Sequence, residues 1–253
     1  IGANTAIFSG VSAFLIRPLP VPNASELVRP LEVAEDRSLR DEMSYPDFLD
    51  YRVQSTSFAG LAAEDMVPAA IDTENQSDVA WGQVVSANYF DVVQVKPLLG
   101  RTFAHDEDKT IGGSPVLVVS HNLWQRRFGG DPNIVGKTVR VNDRPYQVIG
   151  VAPESFTGTK FALALDFWTP MSMVEEIRRA PKLLEDRGSH WMNVIGRLKP
   201  GVSVGQASAE LSGIAARLNE MYPDDRGKDT QAKVMTETEG RFEDMGGVFR
   251  SGG

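Results

Sequence analysis

The chain has 253 residues, 42% of them hydrophobic and 24% charged, enough to bury a core as one large domain or two modest ones. Its 26 Lys and Arg against 34 Asp and Glu leave a formal net charge of -8, a field that repels phosphate and argues against nucleic acid as a partner. There is no cysteine, which removes disulfides, thiol nucleophiles and thiolate metal sites, and there are only three histidines, His105, His121 and His190.

The first sixteen residues, IGANTAIFSGVSAFLI, carry no charge before Arg17. A complete membrane span needs about 20 apolar residues, and this segment is short and interrupted by Asn4, Thr5, Ser9 and Ser12. Two readings stand: the outer part of a membrane helix or stalk, with Ile7, Phe8, Val11, Phe14, Leu15 and Ile16 as its apolar surface, or a buried helix of a soluble domain. Pro18, Pro20 and Pro22 end it, since each removes a donor and pushes its predecessor toward extended geometry.

The apolar run Leu27, Val28, Leu31 and Val33 predicts a strand, and Ser44 with Pro46 and Asp47 predicts a helix start. Phe48, Leu49, Tyr51 and Val53 form the apolar face of that helix, with Phe58 and Leu61 read as prolonging it. Residues 70–85 read as two strand arms around a polar loop at 72–78, and Ser86 as the cap of a short helix over 87–90. SPVLVVS at 114–120 is a strand, followed by a helix from His121 to Phe128 that Gly129, Gly130 and Pro132 close. The strongest hairpin signal joins Thr138–Val141 to Tyr146–Val151 through Asn142-Asp143. Phe167 to Met171 predicts another strand, and the charged segment 172–189 a loop with helical parts. A final unit follows: a strand over 191–198, a helix capped by Ser203 with Ala207, Leu211, Ile214, Ala215 and Leu218 on one face, and a strand over 232–235. A strand, a helix and a strand at each end, with β-rich material between, give an α+β class with an insertion.

Catalytic signals are sparse. Gly136-Lys137-Thr138 imitates the end of a phosphate loop, but Asp131 stands where the first glycine belongs, Pro132 removes a donor, and helix precedes strand instead of following it. His105 with Asp106, Glu107 and Asp108 lacks the alternating ligands of a calcium loop and reads as a solvated acidic turn. His190 and His121 have no second histidine at metal spacing, and Arg126-Arg127 and Arg178-Arg179 are too sparse for a nucleic-acid face. Tyr89, Phe90, Trp124, Phe128 and Trp168 read as core. No catalytic residue, metal ligand or cofactor is assigned.

Four collinear segments, ANTAIFSGVSAFLIRPLP, VSANYFDVVQVKPLLGRTF, VVSHNLWQRRFGGDPNIVGKTVRVNDRPYQVIGVAPESF and VIGRLKPGVSVGQASAELSGIAARL, carry a resemblance. Together the chain resembles the periplasmic core domain of MacB-type ABC transporter permeases, of the FtsX-like kind with two repeated permease units. The resemblance implies a porter-like sheet domain over 25–100 and 189–239 and an inserted, sabre-like β-rich lobe over 101–188. It places 1–17 in the outer part of a first transmembrane helix and 240–253 toward a second. It further implies a non-catalytic part, without cofactor, that passes conformational change from a separate cytoplasmic ATPase to a substrate outside the bacterial inner membrane. The implied partners are the flanking membrane helices, that ATPase, and a second permease unit in a homodimer or pseudo-dimer. The competing reading is a stand-alone secreted or periplasmic ligand-binding or adhesion module.

Overall fold

The computed structural model describes residues 19–34, 36–73, 76–160, 163–226 and 229–240. Its strands are β1 (Leu27–Val33), β2 (Leu39–Arg40), β3 (Glu42–Met43), β4 (Phe58–Thr73), β5 (Gln76–Val85), β6 (Leu99–Gly100), β7 (Val116–Val119), β8 (Thr138–Val141), β9 (Arg144–Val151), β10 (Phe167–Pro170), β11 (Met192–Leu198) and β12 (Gln231–Thr236). Its α-helices are α1 (Tyr45–Gln54), α2 (Tyr89–Val93), α3 (His121–Phe128), α4 (Val174–Arg178), α5 (Val204–Met221) and α6 (Pro223–Arg226).

The sheet runs β12-β1-β11-β4-β5-β10-β7-β9-β6. Its first four strands come from the two ends of the chain. β1 is antiparallel to both β11 and β12, and β11 is antiparallel to both β1 and β4. Each strand-helix-strand unit, β1-α1-β4 and β11-α5-β12, therefore straddles a strand of the other, which is the split βαβ arrangement. The remaining strands close on themselves: β4 pairs β5, β5 pairs β10, β10 pairs β7, β7 pairs β9, β9 pairs β8, and β8 returns to β4 at Ile71↔Val141. β4 is thus one strand of both parts, with Phe58 to Glu64 on β11 and its far end in the ring.

Side chains explain the layering. One apolar cluster joins Val28, Phe48, Tyr51, Leu211, Ile214 and Leu218 to Leu117 of β7 and Tyr146 of β9, while a second gathers Leu27, Tyr89, Phe90, Phe156, Trp168 and Ile195. Adjacent strand residues point to opposite faces, so Leu27 and Val28 fall in different clusters, as do Val118 and Val119. A sheet buried on both faces accounts for continuous apolar runs in place of alternation. Helix α5 begins with a full capping box, Ser203 and Gln206 exchanging side-chain and backbone bonds. Its Ser212 hydroxyl donates to the Ala232 carbonyl at 2.5 Å and its Ser208 hydroxyl accepts from Val234 N–H at 3.2 Å, pinning it to the outermost strand. The hairpin turn holds Asn142 and Asp143 at φ 46° and 68°, the left-handed pair a two-residue turn of this kind needs.

Three local expectations are corrected. Phe58 and Leu61 do not extend α1: the helix stops at Gln54, and both residues enter β4. The segment 61–63 is buried on both faces, Leu61 and Ala63 in one cluster and Ala62 in the other, so it shows no strand alternation. The polar stretch 72–78 is not a free loop, since the ladder continues through Asp72↔Ser77 and Thr73↔Gln76. Ser86 does not cap α2, which runs from Tyr89 to Val93 with Asn88 before it; its hydroxyl instead accepts from Ala63 N–H at 3.0 Å.

Gly82 of β5 lies against the buried ring of Phe167, its neighbour across the parallel pairing, and a Cβ there would be driven into that ring. Gly82→Ala is expected to lower stability by about 1–3 kcal/mol through overpacking. Urea unfolding checks this: the midpoint should fall while the slope stays unchanged.

Candidate functional site

Three carboxylates and two guanidiniums meet beneath the edge of the split sheet. Glu32 comes from β1, Asp47 and Asp50 from α1, Arg187 from the segment before β11, and Arg226 from the last turn of α6. Asp47 is placed by the helix start: the Ser44 hydroxyl accepts its N–H at 3.2 Å, and Asp47 stands in the first turn, where negative charge is favoured. Glu32, Asp47 and Arg226 have side chains at most 1% exposed. Burial of this depth is tolerated only when the charges are paired.

The pairing is dense. Arg226 Nη1 donates to Asp47 Oδ2, its Nη2 lies 3.1 Å from Glu32 Oε1 and donates to the Tyr51 hydroxyl at 3.1 Å, and its Nε donates to Asn219 Oδ1 at 3.1 Å. Arg187 Nη1 donates to the other oxygen of Asp47 and its Nη2 to Asp50 at 2.8 Å, with the guanidinium stacked 3.9 Å over the Tyr222 ring. His190 Nε2 sits 3.2 Å from Glu32 Oε2. The Glu32 carboxylate beside it holds His190 above the ordinary imidazole value, against a smaller opposing effect of burial. Burial pushes the Tyr51 phenol well up, keeping it a neutral partner.

Glu32, Asp47 and His190 bring their ligand-type atoms within 4.8 Å of one another, the donor set a divalent cation takes. The carboxylate oxygens already face Arg226 and Arg187, so the cation here is a guanidinium and the group is an ion-pair cluster. What it does mechanically is clear from its sources: it ties β1, α1, the segment ahead of β11, and α6 ahead of β12 at one point. Asn219 extends the tie by donating to the Thr230 carbonyl at 2.7 Å, across the turn into β12.

A second buried network sits on the opposite face. Glu64 of β4 accepts from Thr159, receives a 3.4 Å bond from Gln83 Nε2 and lies 3.5 Å from Lys160. Gln83 Oε1 accepts from Trp168 Nε1 at 3.0 Å and from the Tyr89 hydroxyl at 3.2 Å. It stitches β4, β5, α2, β10 and the segment at 159–160 together. Nearby, Arg178 of α4 makes a bidentate pair with Asp65 of β4, both bonds at 2.7 Å. Burial pushes the Asp65 carboxyl up to about 6 although Arg178 opposes it.

The residues singled out from sequence fall as follows. Ile7, Phe8, Val11, Phe14, Leu15 and Ile16 lie outside the described residues; among those described, no helix is long and apolar enough to cross a membrane. His105 is exposed, 4.0 Å from Asp91, and His121 begins α3 with its ring against Trp124. Lys137 pairs with Asp131 in the turn before β8. Tyr89, Phe90, Trp124 and Trp168 are buried, with Phe128 packed against the core. Sequence reasoning missed Glu32, Asp47 as a buried group, Arg187 and Arg226. The available signal was a charged pair, Arg29 and Glu32, inside the otherwise apolar run LVRPLEV, since charges in a buried strand require partners.

A sequence profile of the MacB-like periplasmic core domain matches residues 1–214, and the chain belongs to that family. It is 30% identical over 131 residues to the macrolide export ATP-binding/permease protein MacB of Salmonella paratyphi A, and 28% identical over 129 residues to that of Escherichia coli K12. Each alignment takes in 51% of this chain and 18% of the relative, so the chain spans less than a fifth of the length of these curated proteins. In fold it is similar to the periplasmic region of MacB from Actinobacillus actinomycetemcomitans, with TM-score 0.62 and 17% identity over 91% of this chain and 97% of the other. It is also similar to the extracellular domain of the noncanonic ABC-type transporter YknZ from Gram-positive bacteria, with TM-score 0.58 and 17% identity over 83% and 99%.

Arg226→Met is expected to cost about 3–5 kcal/mol, because it leaves Glu32 and Asp47 buried without their shared cation. Equilibrium urea unfolding reads this directly, and a loss under about 1 kcal/mol would contradict the pairing described.

Proposed function

We propose that this chain is the extracytoplasmic domain of an ABC-type permease and that it acts mechanically, moving or squeezing a substrate outside the inner membrane in response to a cytoplasmic ATPase. The observation that carries the proposal is the pairing of β1 with β12. The start of β1 and the end of β12 are direct cross-strand partners, Val28↔Thr236, on the outermost pair of the sheet. Such partners have Cα atoms about 4.5–5.5 Å apart. Segments entering before β1 and leaving after β12 therefore share one corner, as a domain inserted between two neighbouring membrane helices requires.

The family membership and the likeness to the periplasmic region of MacB support the same reading. In this reading the domain divides into a porter-like part over 25–100 and 189–239 and an inserted lobe over 101–188, with β4, β5 and β6 of the first part pairing with strands of the second. Displacement at the Val28/Thr236 corner enters β1 and β12, crosses the ladder through β11 to β4, and leaves along β4 into the ring. In this reading the domain holds no cofactor, and its partners are flanking membrane helices, an ATPase and a second permease unit.

These 253 residues hold no cysteine, so a single introduced one reports its own position once any cysteine elsewhere in the full-length protein is replaced. Arg140 of β8 and Asp225 of α6 are both exposed. In the full-length protein in intact spheroplasts, a membrane-impermeant maleimide is expected to label both Arg140→Cys and Asp225→Cys. Labelling only after the membrane is opened overturns the proposal.

A further inference from the structure

We infer that His190 is a proton-operated latch on the buried cluster: its protonated form locks the segment before β11 onto β1, and its deprotonation loosens that hold. Two geometric facts carry this. First, both ring nitrogens face acceptors. Nε2 lies 3.2 Å from the Glu32 carboxylate, and Nδ1 lies 3.1 Å from the Gly188 carbonyl oxygen. A neutral imidazole has one N–H and can satisfy only one of them, whereas the imidazolium donates to both. Secondly, the ion pairs of the cluster set Glu32, Asp47 and Asp50 against Arg187 and Arg226, with Arg40 the cross-strand neighbour of Glu32, and a protonated His190 adds a further positive partner at the buried Glu32 carboxylate.

Other ionisable groups face the ring from each packed element. Arg40 stands opposite Glu32 across the β1–β2 pairing and opposes a charge on the ring, while Glu42 of β3 and Asp186 on the ring's own segment feel it. Asp186 is already engaged by Ser189 and the Gly188 N–H, so it braces the backbone that presents Gly188 to the ring. Arg187 sits three residues before His190 and holds Asp47 and Asp50, so the state of His190 bears on the same short segment that grips α1.

The direction of the response follows. The folded-state value of His190 lies above its ordinary 6.5, so the stabilisation is fully present below pH 6.5 and is lost as pH rises through the folded value. The latch depends only on residues of this chain. Its consequence, a corner held more firmly in acidified surroundings, rests on the permease reading.

Two measurements on the 253-residue chain test it. In an NMR titration His190 should show a pKa above the ordinary 6.5; a value at or below 6.5 overturns the latch. Urea unfolding at pH 5.5 and pH 8.5 is then compared between the wild type and His190→Gln, which keeps a donor for Glu32 but takes no proton. The folding constant of the wild type should fall severalfold more than that of the variant, in the direction that linkage requires of a group whose folded value lies above its unfolded one. Asp65 titrates in both proteins, so only the difference between them counts. Parallel profiles overturn the latch, whatever the topology experiment shows; if the variant does not fold, the titration of the wild type decides alone.

Discussion

Two carboxylates sealed away from water set the terms for this fold. Glu32 and Asp47 are held on neighbouring elements by the backbone itself, one on a strand with partners on both sides and the other in the capped first turn of α1. Removing either from water costs several kcal/mol, and that cost is recovered only by cations in good geometry. The cations come from far along the chain, at Arg187 and Arg226. The requirement to pair thus draws together the segment that precedes β11 and the turn that precedes β12, the two strands that flank β1. The sheet order and the ion-pair cluster are two expressions of one constraint.

The same arrangement separates a densely tied region from one where the ladder narrows to a single strand. Near the cluster, β1 is paired on both sides, α5 is pinned to β12 by Ser208 and Ser212, and Glu210 ties the helix to Thr56 and Ser57 at the start of β4. Hydrogen bonds from Ser57 and Thr56 outweigh burial and hold the Glu210 carboxyl at about 2. Away from the cluster, the ladder narrows to β4, which leaves the split sheet and becomes a stave of the ring. The Glu64 network lies where β4 makes that passage and joins it to β5, β10 and β11.

Much of this was readable from sequence, and the exceptions have physical causes. The capped helix at Ser203, the Asn142-Asp143 hairpin and the apolar strand at 116–119 depend on local chemistry and appear where that chemistry stands. Most of β4 was not readable as a strand, because Gly60, Ala62 and Ala63 are small enough for burial on both faces and have no strand preference of their own. The cluster was unreadable for another reason. Glu32, Asp47, Arg187 and Arg226 are separated by up to 194 positions, and only the β1–β12 and β1–β11 pairings bring them together. Arg187 in particular lies in a charged segment that looks like solvated loop until Asp47 and Asp50 are placed opposite it.

The fold depends on Asp47 and Arg226 acting as a unit across 179 positions. A double-mutant cycle of Asp47→Asn and Arg226→Met, read by urea unfolding, measures their coupling directly. A coupling energy of about 2 kcal/mol or more is expected, the double variant being markedly more stable than the sum of the single losses implies. Additivity within about 0.5 kcal/mol would contradict it, and would leave the return of β12 to β1 to the sheet alone.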